Sequence, residues 1–312
     1  MKHNSPSIER ILGKTLSMMV LLMLITTILW AEGEGARRSI GFFDILLLPR
    51  VWVGAVFCLI GLGLLTKSWV NHNWRFIFLT VIFFVFGIIA VLPLGKFARG
   101  MGLHPSPVCT VTKPFLFLNA GRAVPVIFLA ILASISLLSV MGNKLFCGWV
   151  CPIGAIQEIF HRIPLFKALK IKLPFRTTNL IRTTIFIAFV AVIFSVGISI
   201  YDYFNPFEFL HWGFEPMAIA ILLVTLVGAV FIFRPFCYLI CPLGLFTWTL
   251  EHLSLIKVKV NKTKCITCNL CINMSPCPTV PSILEERKLR PDCHACGRCL
   301  EVCPENALRF KK

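Results

Sequence analysis

The chain has 312 residues, 57% of them hydrophobic and 14% charged, with a mean hydropathy of +0.83. A soluble domain of this size carries about 25% charged residues, so the composition excludes a single water-soluble core and predicts a polytopic membrane protein. Lys and Arg number 31 against 14 Asp and Glu, a net charge of +17. Most of these basic residues flank apolar runs, which reads as membrane topology and not as a nucleic-acid footprint.

Lys2, Arg10 and Lys14 precede the first apolar run, and no convincing small-x-small cleavage site follows Trp30. This run is read as an uncleaved membrane helix. Crossing a bilayer takes about 20 apolar residues. The stretches that reach or approach this length are Thr15–Trp30, Val51–Thr66, Phe76–Leu94, Ala123–Met141, Thr183–Ile200 and Met217–Phe233. Gly41–Leu48, which contains Asp44 and is followed by Pro49, reads as an interfacial segment. No Asp, Glu, Lys, Arg or His falls within these six boundaries, which argues against a proton pump acting through the spans.

Loop charges orient the chain. The N-terminal tail is basic, Lys67–Arg75 has no acid, and Asn143–Arg182 sets seven basic residues against Glu158. Tyr201–Pro216 carries Asp202, Glu208 and Glu215 and no Lys or Arg. The bias puts both termini in the cytoplasm of an inner, multi-pass membrane protein. The loop Lys96–Arg122 is basic yet falls outside in this scheme. Trp30, Trp52, Trp69, Trp74 and Trp212 stand at or near span ends, as an interfacial aromatic belt requires.

An internal repeat follows. Phe146-Cys147-Gly-Trp-Val-Cys151-Pro152-Ile-Gly154 matches Phe236-Cys237-Tyr-Leu-Ile-Cys241-Pro242-Leu-Gly244, 90 residues further on. At a spacing of four, both sulfurs of a pair can share one helical face, and each proline suits the first turn of a new helix. The two motifs offer four thiols, enough for one more cluster or for a redox-active thiol pair, with inert packing as the bland reading. Lys144 or Arg234 would lower the pKa of a reactive thiol.

From about Lys257 the chain turns polar, basic and rich in cysteine. These 56 residues are too few for a sizeable apolar core, so another element must staple them. They read Cys265-x2-Cys268-x2-Cys271-x5-Cys277-Pro278, then Cys293-x2-Cys296-x2-Cys299-x3-Cys303-Pro304. This is the spacing of a bacterial two-[4Fe–4S] ferredoxin, in which three close cysteines bind one cluster and the fourth binds the other. Cluster one then takes Cys265, Cys268, Cys271 and Cys303, and cluster two takes Cys293, Cys296, Cys299 and Cys277. The first motif has two extra residues before Cys277. Zinc sites commonly pair their cysteines two and two. The tail has eleven Lys and Arg against five Asp and Glu, a surplus that offsets anionic clusters and also suits an anionic leaflet.

Together Phe146–Glu158, Arg234–Gly244 and the two-cluster tail resemble the NapH/NosR-type membrane ferredoxins, over about the last two-thirds of the chain. The resemblance implies electron transfer between the quinone/quinol pool and partner redox proteins or cytochromes, as a subunit of a quinol dehydrogenase or oxidoreductase complex. It makes Cys147, Cys151, Cys237 and Cys241 the family's CxxxCP cysteines. The chain has no room for the outer flavin domain of the NosR branch and looks closer to the NapH branch.

The expected architecture is an all-α polytopic membrane domain of about six transmembrane helices over residues 1–256, then a small α+β two-[4Fe–4S] ferredoxin domain over 257–312. Expected cofactors are two [4Fe–4S] clusters, a further iron–sulfur centre at the CxxxCP motifs, and quinone; expected surroundings are membrane lipid and redox subunits, with no nucleic acid. The alternative function is an assembly or maturation factor that reduces a metal or thiol centre of a partner enzyme. Cys58 and Cys109 read as structural residues. His161 and His252 read as interfacial. Proton-handling candidates are Asp202, Glu208, His211 and Glu215 at one end and Glu158, His161, Glu251 and His252 at the other. The aromatic loop Tyr201–Trp212 reads as an interfacial loop before a quinone pocket.

Overall fold

The fold is that of a computed structural model, which describes residues 42–90, 92, 95–102, 105–164, 169–211, 216–286 and 292–311. The expected span Thr15–Trp30 lies outside them, as do Trp212 and Glu215.

A short helix, α1 (Phe42–Leu46), leads into α2 (Pro49–Thr66), whose first residue is a proline that needs no hydrogen-bond partner there. The buried residues of α2 include Val53, Phe57, Gly61 and Leu65, one per turn on a single face. Gly61 lies against the Trp149 ring, where a Cβ would collide. Next, α3 (His72–Phe83) is capped by Asn71, whose Oδ1 accepts the Trp74 N–H at 2.8 Å, and it continues as a wider π-turn over Phe84–Ile89.

Among the described residues three helices are long and apolar enough to cross a membrane: Pro49–Thr66, His72–Ile89 and Phe175–Val196. The expected spans at Ala123–Met141 and Met217–Phe233 appear as shorter apolar helices, Val126–Met141 and Pro216–Phe231. Outward apolar side chains such as Leu180 (68% exposed) and Val224 (73%) have no protein neighbour to bury them, which is the surface of a membrane protein.

The basic segment expected as an outer loop is partly helical: α4 (Gly95–Met101) and α5 (Cys109–Asn119). Pro114 within α5 hides it from periodicity. It packs on α6 (Val126–Met141) and buries Cys109, Thr110, Val111 and Thr112.

The repeat then builds α7 (Leu145–Trp149) and α8 (Pro152–His161). The long α9 (Phe175–Val196) stops at Gly197, which takes φ 77°. It is followed by α10 (Ile200–Tyr203), the apolar α11 (Pro216–Phe231), and the second repeat, α12 (Pro235–Leu239) and α13 (Pro242–Glu251).

The tail pairs β1 (Lys257–Val260) antiparallel with β2 (Leu308–Lys311), register Val258 to Phe310 and Lys259 to Arg309. Val258, Leu308 and Phe310 are buried while Lys259 and Arg309 are exposed, the two-residue period of a half-buried ribbon. Between the strands stand α14 (Leu270–Met274), α15 (Val280–Leu284) and α16 (Arg298–Glu301). The ribbon also packs on α2, so the tail is seated against the helices.

Candidate functional site

Both repeats fold identically. Lys144 and Arg234, each three residues before the first cysteine, adopt left-handed φ values of 60° and 51° and start a five-residue helix. The Phe146 carbonyl accepts the N–H groups of both Val150 and Cys151 at 3.0 Å. Phe236 does the same for Ile240 and Cys241, at 3.0 and 2.9 Å. The helix therefore ends between the two cysteines, and Cys151 and Cys241 are extended N-caps of the next helix, opened by Pro152 and Pro242. The two sulfurs of a motif do not share one continuous helical face, because four residues hold a helix end and a new start.

The repeats interlock. Gln157 Nε2 lies 3.6 Å from the Cys237 sulfur, and Thr247 Oγ1 lies 3.7 Å from the Cys147 sulfur. Gln157 and Thr247 hold the same place in their repeats, so each stands beside the first cysteine of the other repeat. Cys151 stands within Coulombic reach of Cys147, Cys237 and Cys241. The four CxxxCP cysteines thus lie near one another at the repeat interface.

Buried charge braces this interface. Arg234 donates to the Cys147 carbonyl at 2.7 Å, and Arg182 donates to the Cys237 carbonyl at 3.1 Å. Gly154 and Gly244 make room: a Cβ would stand 3.1 Å from Arg234 Nη1 or Arg182 Nη1. Glu158 receives Arg75 at 3.0 Å, Arg234 at 2.6 Å and Arg162 at 3.4 Å. Burial pushes the Glu158 carboxyl up, but the guanidiniums of Arg75 and Arg234 outweigh it and hold it well below the usual range. Arg75 also lies over the Trp149 ring at 4.3 Å.

Asp292 of the tail receives Arg182 at 2.9 Å and the Lys144 ammonium. Lys144 and Arg234 are thus committed to carboxylates and carbonyls; burial pushes the Cys147 and Cys237 thiols up and outweighs the lowering that Lys144 gives Cys147 and Arg234 gives Cys237. The span boundaries drawn from hydropathy begin at Phe76 and Thr183. The helices themselves begin earlier and carry fully buried Arg75 and Arg182.

Both repeats also grip the same tail loop. The Trp149 indole donates to the Ala295 carbonyl at 2.9 Å, and the Tyr238 hydroxyl donates to the Asp292 carbonyl at 3.1 Å. Glu251 accepts the Cys293 N–H at 3.1 Å. Gly148 faces the His294 carbonyl with no space for a Cβ. His294 is fully buried against the Tyr238 ring.

The tail sulfurs form two groups. Burial pushes the Cys293 thiol well up, and Cys277, Cys299 and Cys296 add to it. For Cys271 burial acts first, then Cys303 and Cys268. Cys265, Cys268, Cys271 and Cys303 line one cavity of about 440 Å³. No three His, Cys, Asp or Glu side chains among the described residues converge on a single ion. Four sulfurs spread around a cavity fit a polynuclear iron–sulfur group, which bridges wider separations than the roughly 2.3 Å bonds of one zinc ion.

Other expected residues take quieter places. Cys58 is wholly buried, and Cys109 is buried with Ser106 Oγ at 3.2 Å. His252 is exposed, whereas His161 is buried with Nδ1 2.9 Å from the Ala229 carbonyl. Asp202 pairs with Lys113 at 2.5 Å, and Glu208 accepts from Asn205 at 3.0 Å. Tyr201 of the aromatic loop turns inward and donates to the Ile240 carbonyl at 3.1 Å, beside Cys241. Sequence reasoning missed Arg75, Arg182, Gln157, Thr247 and Asp292. The equal offsets of Gln157 and Thr247 within the repeats were the available signal.

Comparison with known proteins points to the same segments of the chain. A family model described as a 4Fe-4S binding domain matches residues 123–175 and again 214–262, one match over each CxxxCP repeat, and a second 4Fe-4S binding domain model matches 291–309. The chain is 29% identical over 202 residues to ferredoxin-type protein NapH of Haemophilus influenzae, covering 61% of this chain and 67% of that one. It is 25% identical over 257 residues to ferredoxin-type protein NapH of Escherichia coli, covering 76% and 89%. Regulatory protein NosR of Stutzerimonas stutzeri is 24% identical over 199 residues, 57% of this chain and 25% of that one. No solved structure matches the chain.

Proposed function

We propose that this chain, which belongs with the NapH/NosR-type 4Fe–4S proteins, carries electrons between the quinone/quinol pool of an inner membrane and partner redox proteins. Residues 1–256 would be the membrane domain, with six spans and both termini in the cytoplasm, and 257–312 a two-cluster ferredoxin domain.

Cys265, Cys268, Cys271 and Cys303 would hold one cluster, and Cys293, Cys296, Cys299 and Cys277 the other. Cys147, Cys151, Cys237 and Cys241 would hold a third centre between the repeats. Each bound cluster accepts and releases one electron. The protein supplies rigid seats, a dry surround and charge to balance the sulfurs. One cluster seat is half open, with Cys268 exposed and Cys265 and Cys303 partly so, and suits exchange with a partner. The other is buried against the membrane helices.

One observation carries this reading: the loop Asp292–Cys296 is held by Lys144 and Trp149 of one repeat and by Tyr238 and Glu251 of the other. A cluster on that loop would sit beside the CxxxCP repeats, an arrangement that suits electron passage and that a docking anchor has no need of.

The test is anaerobic purification, iron and sulfide counting, and mixing with a reduced menaquinol analogue. About eight irons per chain are expected for the tail clusters and about twelve with the third centre. Rapid bleaching of the cluster absorbance is expected. Fully loaded clusters that no quinol or quinone addresses would sink the reading.

A further inference from the structure

A quinol that gives electrons to the tail must sit beside a sulfur-bearing segment and beside a group that takes its protons. A cavity of about 340 Å³ meets both conditions. One wall comes from the helical part of the chain and includes Glu158 and His161 of α8 and Phe233. The other comes from the tail: 273–276, which runs directly into Cys277, and Arg298, which precedes Cys299. Phe233, Ile171 and Met274 offer apolar surface for a ring.

The polar groups divide by availability. His161 Nδ1 lies 2.9 Å from the Ala229 carbonyl oxygen. A carbonyl only accepts, so Nδ1 bears the proton and Nε2 keeps its lone pair. Burial lowers the His161 pKa, and Lys170 lowers it further against the Ala229 carbonyl and Glu158, so the ring is neutral near pH 7. The charged and titratable groups facing it are Glu158 and Arg162 of its own helix end, Lys170 and Lys172 of the following segment, His72 of α3 and Arg298 of the tail. Glu158 is occupied by three guanidiniums and does not compete as a base. The cationic surplus favours the deprotonated form of a bound phenol.

We propose that this cavity is the quinol site and that His161 Nε2 is the proton acceptor, an assignment that rests on the quinol-linked function above. In one turnover the two O–H bonds of the quinol break in succession. Each proton passes to Nε2 and then to water at the cavity mouth. The two electrons would leave one at a time to the iron–sulfur groups that the tail cysteines would hold, and quinone remains.

The test uses the full chain with loaded clusters in vesicles. Reduction by a menaquinol analogue is followed between about pH 5.5 and 8.5, spanning the ordinary histidine range, and equilibrium binding of the analogue is measured separately. In the wild type the rate should rise with pH as His161 loses its proton. His161→Gln keeps an N–H for Ala229 but has no basic nitrogen. It should slow reduction about a hundredfold and flatten the pH profile, with iron and sulfide unchanged. Ile171→Trp fills the cavity from its rim and should weaken binding about tenfold or more. A wild type that quinol does not reduce overturns the quinol-linked function itself. A reducible wild type with both variants unaltered overturns the cavity. Impaired binding in Ile171→Trp beside a normal pH profile in His161→Gln overturns the proton acceptor.

Discussion

Arg182 and Arg234 do the same work for opposite repeats. Each donates to the carbonyl of a first CxxxCP cysteine, Arg182 to Cys237 and Arg234 to Cys147, and each lies over the glycine that follows the motif proline by two. Each also holds a buried carboxylate, Asp292 for Arg182 and Glu158 for Arg234. Two buried charge clusters therefore lock the repeats together, and one of them locks the tail to the repeats as well.

Glu158→Gln should be strongly destabilising. It leaves Arg75 and Arg234 buried without a counter-charge, a loss of about 3–5 kcal/mol. Thermal unfolding of the detergent-solubilised protein measures it, and an unchanged midpoint would refute the brace. The pH sign follows from the depressed carboxyl. Its stabilisation is present above the unfolded value of about 4.3 and is lost as pH falls through the lower folded value. The wild type should therefore keep this contribution down to about pH 5, and Glu158→Gln should flatten the acid limb.

Gly148→Ala should loosen the tail without touching a cysteine. The added methyl has no space beside the His294 carbonyl. Limited proteolysis should cut the chain between β1 and β2 faster than in the wild type. Gly63→Ala, at an open position in α2, is the control that should behave as the wild type.

Gln157→Leu should lower the reduction potential of a CxxxCP centre more than Thr247→Val does. Gln157 has one N–H on the Ile153 carbonyl at 2.9 Å and a second directed at the Cys237 sulfur. The Thr247 hydroxyl already donates to the Leu243 carbonyl at 2.8 Å and has no second proton for Cys147. Donors to sulfur stabilise the reduced, more negative cluster. Redox-poised electron paramagnetic resonance reads the shift, and equal effects would contradict the assigned donor.

Cys303→Ser and Cys277→Ser should remove crossed clusters. Cys303 lies with Cys271 and Cys268, and Cys277 with Cys293, Cys296 and Cys299. The first variant should lose the more exposed cluster and the second the buried one, each with about four irons fewer per chain. Loss of both signals in the Cys303→Ser chain would argue for a different pairing.

Sequence by itself determined the membrane character, the two CxxxCP repeats and the spacing of the tail cysteines. These are local properties: apolar run length, a nine-residue match, and spacings short enough to wrap one cluster. It also carried the prolines that open α8 and α13, because a missing N–H has meaning within one turn. It did not determine that Cys151 leaves the helix of Cys147, since the break depends on the Phe146 carbonyl turning to two N–H groups at once. Nor did it disclose that Arg75, Arg182, Lys144 and Arg234 are buried. Hydropathy places a cation at a span end, and only a carboxylate brought from 83 residues away for Arg75, or 110 for Arg182, makes its burial tolerable. The cavity at His161 is likewise a product of tertiary structure, since it brings α8 together with a tail segment more than 100 residues further along the chain.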